Sequence, residues 1–226
     1  MSTRPVSQVS PFLKANYHSV RVVSPFTKPI TMAETHEKRR VANMDIQVRH
    51  AGDSDGQEIT KIIIEAFGPS EGQEIVGLIA DLLGDPTAQP LWSLVATVQK
   101  QVVGHILLTT VHIRPAQRNV VAAILAPLAV LPAYQNRGIG GLLINTGLQQ
   151  IKTAGGELVF VLGYPTYYSK YGFSPAGARG FEPPYPITPE QEDAWMVQEL
   201  QPNTIGQIRG TVRCADALAD PKYWQE

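Results

Sequence analysis

The chain has 226 residues, 43% of them hydrophobic, and a formal net charge of −1 at pH 7. This length and composition predict one substantial core in a single domain. The longest apolar stretch, residues 120–132, is interrupted by prolines and is shorter than the ~20 residues that span a bilayer. The lone cysteine, Cys214, excludes an intramolecular disulfide, and no Cys/His cluster has zinc spacing. We therefore expect no metal, no membrane partner and a reducing compartment.

The first 43 residues differ in composition from the rest. They carry seven Lys and Arg against two Glu, a net charge of +5, which leaves −6 for residues 44–226. They lack a sustained hydrophobic period, which predicts a disordered basic leader. Two interpretations stay open: an upstream-start extension, because Met32 and Met44 could both initiate, or an organellar transit peptide. Residues 44–226 are predicted to form a single cytoplasmic domain.

From residue 45 onward, the hydrophobic pattern switches between strand and helix periods. The predicted elements are, in chain order, a strand at 45–49, helices at 53–67 and 73–83, strands at 92–98, 102–113 and 119–130, a helix at 138–153, and strands at 158–162, 194–200 and 208–213. This order predicts the α/β class.

A basic, glycine-rich loop at residues 133–141 joins the long central strand to the third predicted helix. Its backbone N–H groups and the positive end of the helix would face one point, where an anion can approach glycines closely. Arg137 adds a guanidinium that can fork onto phosphate oxygens. The glycines lack the Lys of a P-loop and the third small residue of a dinucleotide fingerprint. The pattern that fits is Gln/Arg-x-x-Gly-x-Gly/Ala, at Gln135, Gly138 and Gly140.

This pattern resembles the acyl-CoA pyrophosphate loop of the GNAT N-acetyltransferases. Residues 125–130 look like the family's splayed fourth strand, and residues 163–173 resemble its Tyr-x-x-x-Gly-Phe element. The resemblance covers residues 45–225 and is closest to the family's YhbS-like group. It implies the GNAT fold: one mixed, strongly twisted sheet with helices on both faces and a splayed strand pair at the acyl-CoA site.

The resemblance also implies acetyl-CoA as co-substrate and a set of site residues. The backbone N–H of Leu128, in the segment 128–130, would stabilise the oxyanion. Tyr168 would protonate the departing thiolate, because a phenol is protonated at neutral pH. Tyr164, Tyr167 and Tyr171 stay open as alternatives for this acid. The implied cofactor-binding residues are Leu128, Ala129, Val130, Gln135, Asn136, Arg137, Gly138, Ile139, Gly140, Gly141, Tyr167 and Tyr168.

The general base is not evident, because residues 120–127 of the central strand contain no ionisable side chain. Candidates elsewhere are His105, His112, Glu65 and Glu71, each of which is also explained as an ordinary structural or solvated residue. The resemblance implies a primary amine of a small molecule or of a protein as acceptor. It places the acceptor site at residues 66–74 and at the late segment 181–186, whose aromatic and proline residues predict a partly apolar pocket.

Three functional classes follow. The leading one is an N-acetyltransferase, and the second is a non-catalytic acyl-CoA binding module, which the missing strand carboxylate favours. Nucleic-acid binding through the leader is disfavoured by the negative charge of residues 44–226. Residues 86–156 contain no acid but several Lys and Arg, which favours an anionic ligand. A homodimer formed through an edge strand also stays open.

Overall fold

The structure, a computed structural model, describes residues 45–115 and 118–224. The predicted leader, residues 1–43, lies outside the described residues. The helices are α1 (Gly56–Phe67), α2 (Pro69–Gly84), α3 (Ile139–Thr153) and α4 (Pro165–Tyr168). The strands are β1 (Ile46–His50), β2 (Leu91–Val98), β3 (Gln101–Arg114), β4 (Ala122–Val130), β5 (Leu158–Leu162), β6 (Ser174–Pro175), β7 (Phe181–Glu182), β8 (Trp195–Glu199) and β9 (Gly210–Arg213).

These strands form one mixed sheet in the order β1-β2-β3-β4-β5-β8-β6. Strands β4 and β5 are parallel, and all other neighbours along this path are antiparallel. Strand β9 pairs with the end of β3 and, in parallel, with β7. Both α1 and α3 contact β3 and β4 without packing on each other, as helices on opposite faces of the sheet do. The predicted fold class is therefore confirmed.

Several element boundaries differ from the predictions by one to four residues, and two of these differences have a clear local cause. Helix α2 begins at Pro69 rather than at residue 73, because Gly68, at φ 84°, turns the chain sharply and Pro69 suits the first helical turn. Strand β4 begins at Ala122 rather than at residue 119. Just before β4, the carbonyl of Val121 accepts a hydrogen bond from the Glu157 N–H at 2.8 Å. This residue is therefore bonded to the segment that leads into β5 and not to β3.

Strands β4 and β5 pair over only three residues each, Ala122–Ile124 against Leu158–Phe160. In β4, Ala126 and Pro127 stand opposite the single residue Leu107, because the register with β3 shifts there. Such a bulge bends its strand. The rest of β4 therefore continues beside β3 while β5 diverges from it. This is the splayed pair that the family resemblance implied.

Alternation of side chains assigns the residues near the splay to two faces of the sheet. A Cβ on Gly104 would contact Leu143 and Ile139 of α3, so Gly104 faces α3. Ile106 and Leu108 lie two and four residues further along β3, so their side chains point to the same face as Gly104. Their partners on β4, Leu128 and Leu125, therefore also face α3. Ile124 therefore points to the α1 face, together with its partner Phe160.

The start of α1 is tied to β1 by an ion pair whose carboxylate is buried. Asp55 is only 4% exposed and accepts hydrogen bonds from both terminal nitrogens of Arg49, at 2.6 and 2.8 Å, and from the Gly52 N–H at 2.7 Å. The hydrogen bonds from Arg49 lower the pKa of Asp55 to about 2, against the opposing effect of burial. An ionised Asp55 therefore contributes to stability above its unfolded-state pKa near 3.8.

We expect Asp55→Asn to lower the free energy of unfolding at pH 7 by about 1–2 kcal/mol, because the half-exposed Arg49 loses its charged partner. The difference from wild type should shrink as the pH falls through 3.8 towards 2, where the native carboxylate itself becomes protonated. Urea unfolding between pH 7 and pH 2 measures it, with the exposed neighbour substitution Asp53→Asn as control. A difference that does not change with pH would contradict this assignment.

None of the helices within the described residues is both long and apolar enough to cross a membrane.

Candidate active site

The glycine-rich loop leaves β4 and enters α3 through two residues with positive φ. Asn136 has φ 59° and Gly138 has φ 79°, the left-handed conformation that a glycine adopts without strain. Gly138 is the N-cap of α3, and its carbonyl accepts the N–H of Leu142 at 3.0 Å. The first-turn N–H groups of this 15-residue helix therefore open onto the loop. The half-buried Arg137 lies over the Tyr134 ring, 5.7 Å from its centroid.

Two further glycines allow tyrosine side chains to reach the start of α3. A Cβ on Gly140 would lie 2.5 Å from the hydroxyl of Tyr167. A Cβ on Gly141 would collide with the hydroxyl of Tyr171. These glycines thus permit close approach of two phenols, a role that the loop pattern alone did not show.

The loop, the end of β4 and these two phenols enclose a cavity of about 180 Å³. Of the predicted cofactor-binding residues, Leu128, Ala129, Arg137 and Tyr168 do not line it. The lining residues are Val130, Tyr134, Gln135, Asn136, Gly138, Ile139, Gly140, Gly141, Tyr167 and Tyr171. The structure therefore brings most of the predicted residues together and adds Tyr134 and Tyr171.

The free edge of β4 presents backbone groups toward the splay. The Leu131 N–H donates to the Val103 carbonyl at 2.9 Å, so the N–H groups of Leu131 and Ala129 point toward β3. The N–H groups of Leu128 and Val130, which alternate with these two along the strand, point the other way. The Gln135 amide donates to the Val130 carbonyl at 3.0 Å on that side. Because pairing with β5 ends at Ile124, the N–H of Leu128 faces the splay.

The tyrosines of the α4 region differ in exposure. Tyr168 is 1% exposed and contacts the rings of Tyr167 and Phe173 edge-on, at centroid distances of 5.2 and 5.6 Å. Burial raises the pKa of Tyr168 and of Tyr167 well above the ordinary value, so both phenols are protonated at neutral pH. Tyr167 also hydrogen-bonds to Tyr171. Tyr168 thus lies behind the two phenols that line the cavity.

The four candidate bases are dispersed. His105 is completely buried, its Nε2 lies 3.0 Å from the Ser93 hydroxyl, and burial lowers its pKa to about 4, so it is neutral at pH 7. Its Nδ1 has no hydrogen-bond partner among the described residues. His112 is exposed and pairs with Arg213 at the far end of β3. Glu65 and Glu71 are on α1 and α2, and no base candidate lines the 180 Å³ cavity.

A larger cavity of about 750 Å³ is formed by the chain between β6 and β8. All of the predicted acceptor segment, residues 181–186, lines it, whereas residues 66–74 do not. The Tyr185 hydroxyl donates to the Ala219 carbonyl at 2.7 Å, which fixes one wall. Sequence reasoning missed Glu192, Asp193 and Trp195, which also line this cavity. Across the described ranges 45–115 and 118–224, no group of three or more His, Cys, Asp or Glu could hold a metal ion.

Comparison with known proteins places these features in a family. Residues 47–176 match the family model of the acetyltransferase (GNAT) domain. The chain is 45% identical over 125 residues to the uncharacterized N-acetyltransferase YjhQ of Escherichia coli strain K12, a match covering 54% of this chain and 67% of YjhQ. It is 31% identical over 112 residues to the uncharacterized N-acetyltransferase YhbS of the same strain, covering 50% of this chain and 64% of YhbS.

Two of the solved structures that share the fold contain CoA or acetyl-CoA. The crystal structure of E. coli YhbS in complex with CoA superposes with a TM-score of 0.69 at 25% identity, covering 78% of this chain and 93% of that one. A GNAT family acetyltransferase from Brucella melitensis, in complex with acetyl-CoA, gives a TM-score of 0.60 at 27% identity. The match covers 76% of this chain and 97% of that one.

Proposed function

The chain belongs to the GNAT family of acetyltransferases, and on that premise we propose that it moves the acetyl group of acetyl-CoA directly to a primary amine of a small molecule or a protein. One observation carries the proposal: the unpaired edge of β4 and the glycine loop before α3 border the same cavity. Relatives of this fold are complexed with CoA and acetyl-CoA.

The residues of the cavity fit coenzyme A. Backbone N–H groups at the start of a helix bind phosphate, and Gly138 lets the chain turn without a side chain in the way. Arg137 supplies a cation within the loop. The outward N–H groups of Leu128 and Val130 and the carbonyl of Leu128 can pair with an amide-containing arm in the way that a neighbouring strand would. The Val130 carbonyl already accepts the Gln135 amide.

Three groups of the chain would assist the transfer. The Leu128 N–H donates to the oxyanion that develops as the amine nitrogen attacks the thioester carbonyl. The nitrogen–carbon bond forms, the carbon–sulfur bond breaks, the amine loses a proton to solvent and the thiolate takes one from the Tyr168 phenol. Tyr168 is proposed for this role from the family resemblance, and because α4 follows β5 directly at the splay. Its burial keeps the phenol protonated but also raises its pKa, so the bound cofactor would have to favour proton donation. Tyr167, which lines the cavity, would help to exclude water.

The proposal is tested by following the release of free thiol from acetyl-CoA, with and without a panel of amines. Amine-dependent release with an acetylated product identified by mass spectrometry supports the enzyme. The alternative, a non-catalytic acyl-CoA binding module, is favoured by the absence of a carboxylate or histidine among the cavity-lining residues. It predicts acetyl-CoA binding without release for any amine.

A cytoplasmic location and a homodimer remain proposals. Imaging a fluorescent fusion with and without residues 1–43 tests the first, since a transit peptide would redirect the full-length chain to an organelle. Sedimentation of the purified protein tests the second.

A further inference from the structure

The cavity of about 180 Å³ at the glycine loop is too small for a whole coenzyme A. Sites that enclose a complete small-molecule ligand usually measure ~300–1,000 Å³, and this cavity lies below that range. It can hold the pyrophosphate at the first-turn N–H groups of α3. The adenosine part of the cofactor, which carries a further phosphate group at its 3′ position, must therefore lie outside the cavity.

Two tyrosines in the cavity wall indicate where the adenosine part emerges. Tyr167 lies on the side of the splay, because α4 follows β5 there. Tyr134 lies on the other side, beyond the end of β4, where its hydroxyl donates to the Gln101 side chain at 3.2 Å. Gln101 is the first residue of β3, next to the turn that joins β2 to β3. With the acyl group at the splay, we expect the adenosine part to leave the cavity past Tyr134.

A cation lies over the ring of each of these two tyrosines. The guanidinium carbon of Arg137 is 5.7 Å from the centroid of the Tyr134 ring, and Nζ of Lys170 is 6.0 Å from that of Tyr167. Both tyrosines line the cavity, whereas neither cation does. Aromatic faces attract cations, so each ring helps to hold its cation just outside the cavity wall. The two cations thus flank the cavity, Arg137 where the adenosine part leaves and Lys170 at the splay.

Arg137 has the chemistry of a site for a phosphate monoester. Its planar guanidinium can donate two parallel hydrogen bonds to one phosphate group, which an ammonium cannot do. Lys100, in the turn before Gln101, adds a second cation at the same end of the sheet, and no residue from 86 to 156 is acidic. A phosphate monoester carries about −1.5 to −2 charges at pH 7, more than either phosphate of the pyrophosphate, so it gains most from these cations.

We propose that Arg137 binds the 3′-phosphate of coenzyme A outside the cavity and thereby selects the cofactor over its 3′-dephospho form. This inference rests on the proposed function, because it takes coenzyme A as the ligand of the loop. It separates two phosphate sites: the backbone N–H groups of α3 hold the pyrophosphate, and the Arg137 side chain holds the 3′-phosphate. Loss of the guanidinium therefore weakens only ligands that carry the 3′-phosphate.

The test compares CoA with 3′-dephospho-CoA, which differs only in lacking that phosphate group. Isothermal titration calorimetry with the full chain gives the Kd of both ligands for the wild type, Arg137→Ala and Lys170→Ala. We expect the wild type to bind CoA about tenfold or more tightly than 3′-dephospho-CoA, as a charged hydrogen bond allows. Arg137→Ala should lose this preference by weakening the binding of CoA alone. Lys170→Ala, the matched control, removes the cation from the ring of the other cavity-lining tyrosine and should keep the preference.

Equal affinities of the wild type for the two ligands would overturn the inference. An Arg137→Ala variant in which both ligands bind equally more weakly would also overturn it, because the guanidinium would then act on the pyrophosphate. A preference that is lost only in Lys170→Ala would move the 3′-phosphate to the splay side. Failure of the proposed function is a separate result, the absence of thiol release from acetyl-CoA with any amine. Both fail together only if neither CoA nor 3′-dephospho-CoA binds.

Discussion

Replacing Tyr168 with Phe is expected to lower kcat about 10²-fold or more, with little change in the KM for acetyl-CoA. The phenol is the group proposed to protonate the thiolate, and the ring itself, packed edge-on against Phe173, would be retained. Loss of one hydroxyl from this buried position should change the free energy of unfolding by only about 1 kcal/mol. Steady-state kinetics with the best amine of the panel measure the effect.

Tyr167→Phe and Tyr171→Phe are the matched comparisons, because both hydroxyls line the cavity and contact the glycines of α3. If Tyr168 is the acid, these two variants should raise the KM for acetyl-CoA more than they lower kcat. A large fall in kcat for Tyr167→Phe, with Tyr168→Phe close to wild type, would transfer the role to Tyr167.

The double substitution Gly138→Glu/Arg137→Ala is expected to abolish stabilisation by acetyl-CoA. For the wild type, a ligand at ~100 times its Kd adds roughly 2.7 kcal/mol to the free energy of unfolding. The variant should gain almost none of this. Glu at position 138 must adopt a left-handed backbone, at φ 79°, and brings a negative charge to the phosphate loop, while the guanidinium of Arg137 is removed. A thermal-shift titration with acetyl-CoA and with free CoA measures the change.

Gly155→Glu provides the control. Gly155 also has positive φ, 86°, and open space around its Cα, but it follows the C-terminal end of α3 and does not line the cavity. It should therefore show the same backbone strain in the absence of ligand and keep the full acetyl-CoA shift. An undiminished shift in Gly138→Glu/Arg137→Ala, with the fold intact by circular dichroism, would rule out this loop as the phosphate site.

Local patterns were sufficient to predict the parts of the molecule whose conformation is set by neighbours in sequence. The glycine loop at residues 135–140 and the apolar run of β4 were recognisable because their residue types follow directly from the turn and from burial on both faces. The order of the main strands followed from periodicity in the same way. The family resemblance then supplied the splay and the ligand.

Side-chain placement in the site was less accessible from sequence. Nothing in the run 163–173 shows that Tyr167 and Tyr171 reach Gly140 and Gly141 while Tyr168 is enclosed, because that depends on how α4 packs on α3. The acidic rim of the larger cavity was missed for a similar reason. Glu192 and Asp193 join Glu182 only through the folding of the long connection between β6 and β8, which contains little regular structure.

The short ladder between β4 and β5 has a mechanical consequence. The two parts of the sheet are joined by three residue pairs at one end, and the return of β9 to residues His112–Arg114 of β3 reinforces that same end. At the opposite end, where β4 and β5 have diverged, no backbone pairing with β5 connects the two parts of the sheet. A ligand that hydrogen-bonds along β4 and packs against the start of α4 would bridge the gap between the two parts. The attachment of the C-terminal part of the sheet to the rest is therefore expected to be stronger when the site is occupied.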